Sequence, residues 1–102
     1  MDIKLAAWMV QKEFAENMDD ALMFVRAVKD GSCPDALLNI LKKNMDVMME
    51  VGGKVTAEKV LPYLTEKFKS AEKLIAFWEA NPKDTNAVFY HRRLAEYNDS
   101  QS

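Results

Sequence analysis

Residues 56–81, TAEKVLPYLTEKFKSAEKLIAFWEAN, decide the fold class. Leu61, Leu64, Phe68, Ala71, Ile75 and Trp78 recur at steps of three and four, the period that aligns one side of an α-helix. Lys59, Glu66, Lys67, Lys69, Glu72, Lys73 and Glu79 charge the remainder of the surface. A helix with one apolar face and a charged back must bury that face against other elements. Pro62 lacks an N–H and its ring collides with the preceding turn, so residues 56–61 are expected as a short turn or a kinked first segment. Asn81-Pro82 ends the helix, because a residue before proline is pushed out of the helical region.

Outward from this stretch the same period recurs. Downstream, Asp84 or Thr85 caps a helix over TNAVFYHRRLAEY with Ala87, Tyr90, Leu94 and Tyr97 inward, and residues 98–102 form a frayed tail. Upstream, Gly31-Ser32-Cys33-Pro34 makes a turn into a helix reaching about Val51, with Leu37, Leu38, Leu41, Met45 and Met48 inward; Gly52-Gly53 stops it. From Asp2 to about Asp30 there is neither Gly nor Pro, and Ile3, Ala7, Val10, Phe14, Met18, Ala21 or Leu22, Val25 and Val28 keep helical spacing. The spacing favours one long helix, bent if anywhere near Asn17, over two helices joined there. The expectation is an all-α single compact domain, residues 1–102, of about four helices in an antiparallel bundle or an orthogonal array.

Composition narrows the function. With 14 Lys and Arg against 16 Asp and Glu, the net charge of -2 gives no global field to draw in nucleic acid or an anionic membrane. One cysteine excludes an internal disulfide framework and suits a reducing compartment. The N-terminal MDIKLAAWMVQKEF lacks the features of a secretory signal, and no run is long and apolar enough for a membrane span. A cytoplasmic location follows as the expectation.

Each candidate for chemistry competes with a plainer role. A Cys33–His91 nucleophilic pair would have to be assembled from distant segments, and Cys33 beside Pro34 is more simply a helix-start residue. Glu13, Glu16 and Asp20 fall at i, i+3 and i+7 on one helix face and could hold a divalent ion for a hydrolase; a solvated acidic face is the default. Glu13-x-x-Glu16 resembles half of the acidic motif of the all-α nucleotide pyrophosphohydrolases. Met45, Met48 and Met49 recommend core packing or an adaptable interface over a soft-metal site. His91, Arg92 and Arg93 together with Lys67, Lys69 and Lys73 could form a basic strip, diluted by Glu66, Glu72 and Glu96. AVFYHRRLAEY resembles a segment of the Hha family of small bacterial nucleoid-associated regulators over about a tenth of the chain, and carries over no functional residue.

Aromatics supply the remaining signal. Trp8, Phe24, Tyr63, Phe77 and Phe89 lie off the cleanest stripes, and exposed aromatics are the usual anchors of protein interfaces. The sequence therefore points to a non-catalytic interaction module, an adaptor, regulator or inhibitor of bacterial or phage type, without cofactor or metal. It would self-associate or dock on a protein partner through Trp8, Phe24, Phe89, His91, Arg92 and Arg93. The alternatives are a nucleic-acid-binding regulator using the basic strip and a metal-dependent hydrolase using the acidic face.

Overall fold

The computed structural model describes residues 1–101 and is helical throughout: α1 (Asp2–Gln11), α2 (Met18–Lys29), α3 (Asp35–Lys42), α4 (Met45–Val51), α5 (Ala57–Ala80) and α6 (Thr85–Gln101). The all-α class is as expected, but six helices replace the expected four or so. Two of the expected helices are each broken once, and local hydrogen bonding explains both breaks.

The long first helix stops at Gln11 because Glu13 adopts a left-handed backbone, φ 64°. The Phe14 N–H donates to the Met9 carbonyl (2.8 Å) and the Glu13 N–H to the Val10 carbonyl (3.0 Å). That is the paired closure of a Schellman motif, and the side chains it brings together, Phe14 and Met9, are both buried. Asn17 then takes an extended backbone, and its side-chain oxygen accepts from the Asp20 N–H at 2.8 Å, capping α2. The same chemistry splits the second expected helix. Asn44 Oδ1 accepts from the Val47 N–H (3.1 Å) and opens α4. The new phase buries Val47 and turns Met45 out to 70% exposure, so Met45 is not the core residue its spacing suggested.

The α5 helix runs unbroken from Ala57 through Pro62, so residues 56–61 are not a separate turn; Thr56 caps it, with Oγ1 3.4 Å from the Lys59 N–H. Leu64, Phe68, Ala71, Ile75 and Trp78 are buried, as the period of three and four requires. The α6 helix continues past Tyr97 through Gln101, over most of the tail expected to fray; Ser102 lies outside the described residues.

The core is one continuous cluster, and its centre is α1 rather than α5. Leu5, Ala6, Ala7, Trp8 and Met9 are all buried, and α1 touches α2, α5 and α6. A helix apolar all round is satisfied only when surrounded. Ion pairs hold its start from outside: Asp2 meets Lys29 and Arg26 of α2, and Lys4 meets Glu79 of α5 at 3.0 Å. The Lys29 contact, first among the causes, lowers the Asp2 carboxyl below its usual value. The radius of gyration, 13.6 Å, matches one folded unit of this length.

Candidate functional site: the α5–α6 end

The structure divides the six residues expected to bind a partner. Trp8 and Phe24 are core residues, 3% and 1% exposed. Trp8 packs edge-on against Phe14 (5.8 Å between ring centres) and Phe68 (6.1 Å). Neither is available to dock anything. The apolar surplus of the N-terminal segment is consumed inside, because a short helix wrapped by three neighbours needs apolar side chains on every face.

His91 and Arg93 are half-buried and make structural contacts. The His91 ring donates from Nε2 to the Trp78 carbonyl (3.2 Å), fastening α6 to α5, and Arg93 Nη1 donates to Gln11 Oε1 (2.7 Å), fastening α6 to α1. Phe89 is 46% exposed, and the Arg92 guanidinium carbon sits 5.7 Å from its ring centre, in cation–π range. Of the six, these two stand on open surface.

Phe89 is joined there by a residue of α5. The chain reverses over residues 81–84, and the Trp78 and Tyr90 rings meet inside at 5.1 Å. Their chain neighbours Phe77 and Phe89 therefore stand at one level of the hairpin, and Phe77 is 49% exposed. Leu74, one turn before Phe77, and Val88, beside Phe89, are exposed as well. A groove of about 460 Å³ lined by Phe77, Ala80, Asn81, Pro82, Lys83 and Asp84 occupies the turn. The turn is stiff: Asn81 Nδ2 donates to the Phe77 carbonyl (2.9 Å), and Asp84 Oδ1 accepts from the Asn86 and Ala87 N–H groups at the start of α6. The sequence flagged Phe77 among its off-stripe aromatics without placing it in the docking set.

A second, smaller cavity of about 290 Å³ lies where α4 meets α5, walled by Lys12, Phe14, Asn44, Asp46, Met49, Glu50, Tyr63 and Lys67. Lys67 pairs with Glu50 (3.1 Å) and lies 5.6 Å from the Tyr63 ring centre. Burial, then Glu50 and Asp46, push the Tyr63 hydroxyl up to about 12.

The remaining chemical candidates are dispersed. The helix break puts Glu13 and Glu16 in the α1–α2 connector, so they no longer share a helix face with Asp20, whose carboxylate accepts from Asn17 Nδ2. Glu96-x-x-Asp99 in α6 adds a further acidic pair that the sequence reading passed over. Among the described residues no group of three or more His, Cys, Asp or Glu side chains gathers as a metal site would. Cys33 is pushed up by burial and then by Asp35, the opposite of an activated thiolate. In the basic strip, Lys67 is paired as above and Lys69 faces Glu66 at 3.3 Å. Among the described residues no helix is long and apolar enough to cross a membrane.

Compared with protein-family models, with curated proteins and with solved structures, the chain matches none.

Proposed function

We propose that this chain is a non-catalytic protein–protein interaction module, an adaptor, regulator or inhibitor, that docks through the end of the α5–α6 hairpin. In this reading α5 and α6 are two antiparallel members of a helical bundle and present its end to a partner. The observation that carries it is the placement of Phe77 and Phe89, each about half exposed, at one level of the hairpin beside the buried Trp78–Tyr90 ring contact. Interfaces concentrate their energy in aromatic and Arg anchors on a preorganised support, and Phe77, Phe89 and Arg92 on a stiff turn fit that pattern. Trp8 and Phe24 leave the docking set, and Phe77 enters it.

Native mass spectrometry on the gently purified protein and on a Phe77→Ser/Phe89→Ser variant tests the proposal. Both side chains are about half exposed, so the variant should stay folded and lose only about 1 kcal/mol per site. It should lose the oligomer or fixed-stoichiometry complex that the parent forms. A complex that survives the double substitution intact would refute the choice of face.

A further inference from the structure

Resting on that docking face, we propose that its occupant is an acidic amphipathic segment of another protein, with apolar anchors flanked by Asp and Glu, rather than a second copy of this chain. The charges around the face carry the argument. Lys83 lines the groove beside Phe77, Arg92 lies over Phe89, and Lys73 stands one turn before Phe77. Among the described residues none of these three cations has a carboxylate partner.

One carboxylate, Asp84, lines the groove together with Lys83, and Glu96, one turn after Arg92, lines a separate cavity with Arg93. Asp84 caps α6, Glu79 is paired with Lys4 and Glu66 with Lys69. Glu72 lies five residues from Phe77, about 140° around the helix from it. A chain whose net charge is -2 therefore shows an apolar face whose rim carries three cations without an ion-pair partner among the described residues, Lys73, Lys83 and Arg92, against one carboxylate, Asp84. In a two-fold dimer through this face, the same patch would meet itself and bring one mainly cationic rim against another. An acidic segment turns the same rim from repulsion into attraction, and stacking on Phe89 holds the Arg92 guanidinium in place to receive a carboxylate. Nucleic acid is the less favoured occupant because Lys67 and Lys69, which would extend the cationic track, are already paired.

The test is a titration of the 15N-labelled protein with two synthetic helical peptides that share Leu and Phe at i, i+4 and i+7. One carries Glu and the other Lys at the intervening positions. At about 0.1 M salt, where charges within about 10 Å still interact, the Glu peptide should bind about tenfold more tightly than the Lys peptide. Its amide shifts should concentrate at Phe77, Lys83, Val88, Phe89 and Arg92. The Lys83→Glu/Arg92→Glu variant should reverse the order.

Equal affinity for the two peptides at these residues would overturn the acidic preference and leave the docking face standing. Absence of shifts with both peptides, together with complexes unchanged by Phe77→Ser/Phe89→Ser, would overturn both. Shifts at the same residues on raising protein concentration alone would identify a second copy as the occupant. Tighter binding of a single-stranded oligothymidylate there would identify nucleic acid. Either result overturns the proposal.

Discussion

Glu13 occupies a backbone conformation that glycine adopts freely and other residues adopt at a cost of about 1–2 kcal/mol. Gly31 shows the comparison within the same molecule. It closes α2 with the same pair of bonds, Ser32 N–H to the Ala27 carbonyl and Gly31 N–H to the Val28 carbonyl, at φ 86°. The Glu13 side chain is exposed and forms none of the contacts that fix the motif. Glu13→Gly should therefore stabilise the protein by about 1 kcal/mol, a rise of about 4–8 °C in the melting temperature measured by circular dichroism. Tyr90 is a second residue at odds with its surroundings. Its hydroxyl is buried without a hydrogen-bond partner, and burial, then Glu79, push it up to about 12. Tyr90→Phe should gain about 1 kcal/mol at neutral pH by removing that unmet group. An unfolded tyrosine ionises near pH 10, so the folded state holds its proton more tightly; this contribution to stability is intact below about pH 10 and declines toward pH 12. Denaturant midpoints measured from pH 9 to 12 should fall less steeply for Tyr90→Phe than for the parent. Parallel curves would show that the phenol titrates alike in both states. No sequence period reveals either position, because one depends on a backbone dihedral and the other on which atoms close over a ring.

At the scale of the element, Asn17 and Asn44 determine where helices begin. Asparagine is a weak helix former, and only Asn17 is marked in sequence as a place to bend; in the structure each side chain satisfies an otherwise orphaned N–H of the first turn. Asn17→Ala and Asn44→Ala should each cost about 1 kcal/mol in denaturant unfolding. A null result at Asn17 would mean that the α1–α2 break is held by the Schellman closure alone. These caps also mark how far the sequence could be read. The stripes of α5 and α6 were legible, with Leu64, Phe68, Ala71, Ile75, Trp78, Ala87 and Tyr90 buried as their period requires, because few local interactions compete with it there. Between Asp2 and Asp30 the apolar spacing continues across the break. Without Gly or Pro as punctuation, a helix ended by a glutamate and restarted by an asparagine resembles an unbroken one. The acidic face was misread for the same reason, since Glu13, Glu16 and Asp20 share a side only on a continuous helix. Of the docking set, Phe89 and Arg92 were legible as exposed residues of an amphipathic helix, and Phe77 was visible as an off-stripe aromatic. The turn that brings Phe77 level with Phe89 is a tertiary fact.

Across the whole molecule, the decisive relation is that α1 stands inside the other helices. The run Leu5-Ala6-Ala7-Trp8-Met9 has no polar position, which is the composition of a helix buried on all sides. Surplus apolar residues suggest an interface when a helix is taken to have one neighbour, and a central position when it has three; single-sequence periodicity does not count neighbours. The two assignments differ in what a substitution does. As a surface anchor, Trp8→Ala would leave the fold intact and cost only binding. In the observed position, between Phe14 and Phe68, it removes a ring from the centre and should cost about 3–5 kcal/mol, with Phe24→Ala comparable. Folded domains hold only about 5–15 kcal/mol in total, so either change should shift the entire unfolding curve and leave a population without a stable core. Phe89→Ala should move the same curve by only about 1 kcal/mol, because nearly half of that side chain is already in water. Guanidinium unfolding of the three variants, followed by far-ultraviolet circular dichroism, separates the assignments directly. If Trp8→Ala left the midpoint in place, α1 could not be the helix around which the others pack. If Phe89→Ala lowered the midpoint as far as Trp8→Ala does, the hairpin end would be part of the core and its aromatic pair would have no surface left to offer a partner.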